Sequence, residues 1–448
     1  MAETTTLPIT DVAVFKQKAL AWANSFNVVC LLDSNNYNFN KYPAKEWVLA
    51  VDALDHINTG ETGGAPVLGV NALTQNSSAL DKLKLFTRNL STPVFGFLSY
   101  DLKNEIEQLQ SNNDDGVGFP DMYFFKPRYI FEFTGNKLTV NRNYPETFEL
   151  VEAIEKYEVR SAKYAVEKQN TVLKARTAKS VYLQNIERIK QQIEAGDFYE
   201  LNYCNEFYAE STTIEPVEVF TQLNNKARAP FSSFIKLHDK YLLCASPERF
   251  IKKEGSKLIS QPIKGTTKRG GTTEENIQLQ EQLRTNEKER AENLMIVDLV
   301  RNDLARSSTP GSVLVEELCG IYEFASVNQM ISTVTSQINN TSGIDAIKHA
   351  FPMGSMTGAP KVEVMKNIEH YESFKRGLYS GSVGYITPNG DFDFNVVIRS
   401  ILYNQTKQYL SIRVGGAITY DSIAESEWNE ILLKTQAMVE VLGAKIES

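Results

Sequence analysis

Residues 378–404 read LYSGSVGYITPNGDFDFNVVIRSILYN and residues 408–420 read QYLSIRVGGAITY. From Phe392 to Ile398 every second residue is apolar, so Phe392, Phe394, Val396 and Ile398 share one strand face and Arg399 falls on the other. Both stretches read as strands. Upstream, FYELNYCNEFYAE (198–210) and FSSFIKLHDKYLLCASPERFIKKEGSKLISQPI (231–263) alternate well enough for a strand followed by a hairpin or meander. Residues 1 to about 170 are β-rich as well, with strand composition in VVCLLDSN, PVFGFLSYDL and DMYFFKPRYIFEFTGNKLTV.

Helices punctuate these strands. The segment from about 145 to 195 turns helical, with Ile186, Ile189 and Ile193 on one face, Gly196 as C-cap, and a linker near 165 to 178. A long helix is expected from about Glu274 to Asp303, stopped before Thr309-Pro310-Gly311. The Gly354–Gly358 loop feeds another helix with Pro360 at its first position, and a last one runs from about Ser422 to Leu442. Mixed elements with mainly hairpin-linked strands predict an α+β fold rather than a doubly wound parallel sheet.

At 448 residues with 42% apolar and 23% charged residues, the composition is that of a soluble globular chain able to build a sizeable core. Its net charge of -8 disfavours non-specific nucleic-acid or acidic-membrane binding, so an anionic ligand needs a local basic pocket. The N-terminus carries no basic region followed by an apolar run, which predicts a cytoplasmic protein. Cys30, Cys204, Cys244 and Cys319 lie far apart in apolar contexts and read as buried, reduced thiols.

Four side-chain patterns and one backbone pattern are chemically suggestive. Glu289 with Glu292, and Glu427 with Glu430, stand three residues apart on predicted helices, so each doublet projects from one face. Such doublets are usually solvated surface charge, but these adjoin apolar runs, and two helices offering carboxylates suit magnesium. Lys264 in Gln-Pro-Ile-Lys-Gly-Thr ends an apolar strand. It reads either as a snorkelling surface lysine or, if buried by an apolar wall or second cation, as an amine of lowered pKa and hence a nucleophile. Glu248 in Ser-Pro-Glu-Arg-Phe is a turn residue paired to Arg249 or, with pKa raised by burial, a general acid. Arg399 is an edge residue or an inward carboxylate clamp. Gly265-Thr266, Gly415-Gly416 and the Gly354–Gly358 loop are tight turns or places where backbone N–H groups approach an anion.

Taken together and in order, GDFYELN, SPERF, QPIKGT, EKERAENLMIVDLVRNDLARSSTPGSV, FPMGSMTGAPKVEVM, YSGSVGYITPNGDFDFNVVIRS and GGAITYDSIAESEWNEILLK resemble the chorismate-utilising enzymes across residues 196 to 438. LLDSN and FGFLSYDL resemble the N-terminal part of that family's anthranilate and aminodeoxychorismate branches. The resemblance implies large antiparallel sheets in a sandwich with helices outside. It also implies a β-rich region over 1–170 and a chorismate-binding catalytic region over 178–442, intertwined in one unit.

By the same resemblance, Glu292 and Glu430 match Mg2+ ligands that hold the ring carboxylate of chorismate, with Glu289 and Glu427 supporting through water. Arg399 and Tyr379 match the grip on the enolpyruvyl carboxylate, helped by Gly415 and Lys434. Glu248 matches the acid that assists loss of the C4 hydroxyl, and Gly265 and Thr266 match ring-carboxylate contacts. PIKGT is similar to the aminodeoxychorismate branch, where other branches resemble PIAGT. Lys264 is thus implied to attack C2 before ammonia adds at C4. Isochorismate and salicylate branches carry a water-activating lysine at the position of Glu200, so Glu200 argues against them.

Three residues depart from the pattern. Gln329 stands where many relatives have His, Glu200 replaces a more usual Gln, and Ala417 replaces a Gly and restricts φ. No glutaminase motif is present, so ammonia is expected from solution or from a separate glutamine amidotransferase subunit. Leu31–Ser34 is similar to the tryptophan-binding element of the anthranilate branch. Alternative expectations are an anthranilate-forming component, or a catalytically silent chorismate-binding subunit.

Overall fold

A computed structural model describes residues 4–37, 41–59, 77–141, 147–158, 171–325, 327–338 and 341–447. The expected antiparallel architecture is present. One run of strands passes from Lys137–Asn141 through Met122–Thr134, Trp47–Asn58, Val28–Asp33, Phe231–Leu237, Lys240–Ser246, Ser400–Asn404 and Tyr409–Ile418 to Glu200–Ala209. A second run leaves Met122–Thr134 through Val94–Leu98, Ser382–Ile386, Phe392–Asn395, Arg249–Glu254 and Lys257–Gln261 to Val327–Gln337. The long ribbon of Trp47–Asn58 and Met122–Thr134 joins the two. N-terminal strands therefore pair directly with C-terminal ones, as Val28–Asp33 does with Phe231–Leu237 and Val94–Leu98 with Ser382–Ile386.

Two-residue periodicity divides the core. In Val28–Asp33, Val28 and Cys30 join a cluster that also holds Phe97, Leu242, Ile251, Phe394 and Leu402, and so fills the space between the sheets. Val29 and Leu31 face the other way, into a cluster with Phe15, Ile186, Phe220 and Ile431 from helices packed outside. All four cysteines are buried and free, as expected.

Several local expectations are corrected. The single helix from Glu274 to Asp303 is two helices, Thr273–Thr285 and Glu287–Ala305, because Asn286 leaves helical geometry (ψ 113) and its side chain caps the second through the Glu289 N–H. Pro360 is the cap residue of Lys361–Tyr371 and not its first helical residue. Alternation continues beyond the strand Phe392–Asn395, but its pairing ends there and Arg399 turns to φ +53. The expected linker at 165–178 lies partly outside the described residues; its described end contains Val172–Ala175, which pairs with Glu200–Ala209. No described helix is long and apolar enough to cross a membrane.

Candidate active site

Glu200 opens the strand Glu200–Ala209 and is buried. Its Oε1 accepts a 2.8 Å hydrogen bond from Lys264 Nζ at the start of Ile263–Lys268. Only 11% of the Lys264 side chain is exposed, which rules out the surface reading. Burial by itself pulls the amine down, but the carboxylates of Glu200, Glu292 and Glu430 outweigh it and hold the group above its ordinary pKa. The lowered pKa expected from burial is thus corrected: the neighbours are anions, not a second cation. Gly265 follows at φ +92, and a Cβ there would approach Glu289 Oε2 to 3.0 Å, so this turn needs glycine twice over.

The helix Glu287–Ala305 packs against Ile263–Lys268 and Val327–Gln337 and carries Glu289 and Glu292 on its inner side. Ala424–Leu442 brings Glu427 and Glu430 from the other direction. Burial raises the Glu289 and Glu292 carboxyls, and each also feels Glu430. Glu427 is likewise raised by burial and then by Glu430. Glu430 is lowered: burial would raise it, but Lys434, 2.6 Å away, and Lys264 prevail. Gly416 leaves room for the doublet, since a Cβ there would lie 3.2 Å from Glu427 Oε2 and 3.6 Å from Glu430 Oε1.

Among the described residues no group of three or more His, Cys, Asp or Glu is already gathered around a single point. The donor chemistry nevertheless fits a hard divalent cation. Carboxylates from two helices feel one another across the site, with Lys264, Lys288 and Lys434 as the cations among them.

Glu248 follows Lys240–Ser246, whose last hydroxyl receives the Glu248 N–H at 3.2 Å. Arg249 does not pair with it. Its guanidinium forms a bidentate pair with Asp393 at 2.9 Å on both arms. Burial pushes Glu248 up to about 7, against the opposing pull of the Ser355 hydroxyl, Lys264 and the Ile263 N–H. Such a carboxyl is protonated near neutrality and able to donate.

Arg399 points inward. Its positive φ directs the side chain into the site, where burial lowers its pKa against the pull of Tyr379 and Glu430. Among the described residues its guanidinium makes no hydrogen bond or ion pair. Tyr379 is buried with its hydroxyl 3.8 Å from Cys204 Sγ. Gly415 pairs with Cys204, and its carbonyl takes the Lys434 amine at 2.7 Å, so Lys434 spans Gly415 and Glu430. Thr266 pairs with Gln329, which is buried and whose Oε1 has no hydrogen-bond partner among the described residues. Ala417 sits in ordinary strand backbone opposite Asn202, so the expected φ restriction costs nothing. Leu32, Asp33 and Ser34 lie elsewhere, lining a separate cavity with Phe231, Tyr385 and Asn395.

Sequence reasoning missed Asn293, which is fully buried and reaches the carbonyls of Lys264 and Met330 at 3.4 Å, tying the acidic helix to the lysine. An asparagine between Glu292 and an apolar run was the available signal. Ser355, beside Glu248, and the buried pair Asp303–Lys361 were missed as well.

A buried acid, an enclosed lysine, an arginine and two acidic helices thus come together in one region, and the chain belongs to the chorismate binding enzyme family, whose pattern matches residues 31–440. It is 33% identical over 365 residues to aminodeoxychorismate synthase component 1 of Bacillus subtilis, covering 78% of this chain and 76% of that one. It is 38% identical over 282 residues to a probable chloroplastic aminodeoxychorismate synthase of Oryza sativa subsp. japonica, covering 62% of this chain but only 31% of the rice protein. The fold matches the crystal structure of anthranilate synthase component I from Streptococcus pneumoniae with a TM-score of 0.74 at 26% identity, over 90% of this chain and 94% of that one.

Proposed function

We propose that the chain converts chorismate and ammonia to 4-amino-4-deoxychorismate, the precursor of 4-aminobenzoate in folate synthesis, and receives ammonia from a separate glutamine amidotransferase subunit. The observation that carries the reading is Lys264 itself: an amine enclosed in the site among Glu200, Glu292 and Glu430, in the same pocket electrostatically as Glu248. Similarity to relatives named for this activity supports it.

On this reading Arg399 and Tyr379, helped by the Gly415 backbone and Lys434, hold the enolpyruvyl carboxylate, while Gly265 and Thr266 receive the ring carboxylate. Glu248 gives its proton to the C4 hydroxyl, which departs as water as the Lys264 nitrogen bonds to C2. Glu200 is the nearest acceptor for the proton Lys264 must first lose. Ammonia then attacks C4, the C2–N bond breaks to return the lysine, which regains its proton from Glu200, and the product leaves with its C4 nitrogen as the ammonium, so that Glu248 is left a carboxylate. Glu292 and Glu430, supported by Glu289 and Glu427, would hold Mg2+, which when bound supplies positive charge for the ring carboxylate.

Incubation with chorismate and magnesium, without ammonia, should add to the protein the mass of chorismate less water, and Lys264→Ala should abolish the addition. With ammonium present, a product that becomes 4-aminobenzoate only when the lyase is added is expected. Direct release of fluorescent anthranilate would replace this reading with the anthranilate-forming one. No turnover of chorismate by the intact protein would leave only a silent binding subunit.

A further inference from the structure

Glu248 must regain a proton after each turnover, yet it is buried. A cavity of about 20 Å³, enough for one water molecule, opens on it. Ser260, Pro262, Val300 and Gly354 line this cavity, and so does a second acidic residue, Asp303. Asp303 stands eleven residues after Glu292 on the helix Glu287–Ala305, which is three turns along the same face, so the helix that presents the acidic doublet at one end presents Asp303 at the other.

Asp303 is held by Lys361, whose ammonium donates to Oδ2 at 2.7 Å and to the Ala350 and Pro352 carbonyls at 3.1 and 2.8 Å. That ammonium is fully occupied. Among the described residues no hydrogen bond reaches Asp303 Oδ1.

We propose that Asp303 is the proton relay that reloads Glu248 through water in this cavity. The inference rests on the reading of Glu248 as the general acid. The Glu248 carboxylate left after the C4 hydroxyl departs takes a proton from the cavity water. Asp303, a carboxylate paired with Lys361 at rest, takes up a proton from solvent and passes it to that water, returning to its carboxylate form. Burial raises Asp303 to about 6 and Glu248 to about 7, so both carboxyls can gain and lose a proton near neutrality. Lys361 and Arg306 pull Asp303 down and Glu107 pushes it up, while Lys264, Ser355 and the Ile263 N–H face Glu248. Arg249 also borders the cavity, but its guanidinium is committed to Asp393, Gln261 and the Tyr42 carbonyl.

Asp303→Asn alone would strand the Lys361 charge, so the test uses Asp303→Asn/Lys361→Met, which removes both partners, and Ala350→Leu, which keeps both and fills the cavity. With chorismate, magnesium and ammonium below pH 7, where Glu248 begins mostly protonated, each variant should complete its first turnover at the wild-type rate. Steady-state kcat should then fall roughly 10- to 100-fold with KM unchanged, more severely at alkaline pH. An unchanged steady state in both variants, or a first turnover slowed as much as later ones, overturns the relay. Wild-type chorismate consumption in the same assay reports separately on the proposed function.

Discussion

Glu200 and Glu206 lie on one face of the same strand, six residues apart, and both are buried. Glu206 is closed in: Arg176 Nε reaches it at 2.9 Å, Ser411 Oγ at 2.7 Å and Arg413 through two nitrogens at 3.2 Å. Arg413 is fixed further by Asp115 and the Arg376 carbonyl. Glu200 has the Lys264 amine, and around that pair gather Glu292 and Glu430 with too few cations to balance them. One end of the strand spends its charges on fixed partners and so specifies the fold. The other end, where Arg399 has no side-chain partner among the described residues, leaves charges uncommitted, as the proposed ligand site requires.

Substitutions that separate the two ends test this contrast, and the largest effect should come from the open end. Lys264→Ala removes the covalent route and is expected to lower ammonia-dependent turnover by roughly 10⁴-fold or more, with some loss of Tm because Glu200 is left buried without its partner. Steady-state assays beside thermal melts check both halves.

Glu248→Gln should lower kcat about 10²- to 10⁴-fold. Because this carboxyl is raised from about 4.5 to about 7 in the folded state, the folded protein holds a proton that the unfolded chain releases over that window, and stability falls as pH rises through it. Above neutrality the variant should therefore be more stable than wild type by on the order of 3 kcal/mol. Equal denaturation midpoints at pH 8 would contradict the buried-acid assignment. In the active enzyme, kcat/KM should decline as pH rises through about 7 as the acid form is lost.

At the closed end, Arg413→Met strands Glu206 and Asp115 and should cost about 3 to 5 kcal/mol in denaturant unfolding, with kcat per folded molecule retained. A variant that lost activity but not stability would erase the distinction between the two ends. Glu200→Gln removes the largest influence holding the Lys264 amine up, so the alkaline-rising limb of the pH–rate profile should move to lower pH. The smallest effect is expected of Ala417→Gly, at most about 1 kcal/mol of destabilisation with unchanged kinetics.

Much of this was legible residue by residue. Alternation in Phe392–Ile398 and in VVCLLD announced strands, because a two-residue period survives whatever the strand pairs with. The acidic doublets were legible because helical spacing puts i and i+3 on one face. The helix break at Asn286 was not, since Arg284, Glu287 and Lys288 around it are good helix formers and the break depends on one cap. The Arg249–Asp393 pair could not be foreseen either, because its members stand 144 residues apart and meet only through the register of paired strands.

The sequence by itself determined the α+β class, the strand faces, the family and the list of chemically able residues, all of which are local or patterned properties. Only the tertiary structure decided their states: that Lys264 is enclosed by anions and held protonated, that Glu248 is free of Arg249 and raised toward neutrality, and that Arg399 turns inward with no side-chain partner among the described residues. Protonation and pairing follow from burial and from charges distant in sequence, and those distances exist only once the sheets have closed.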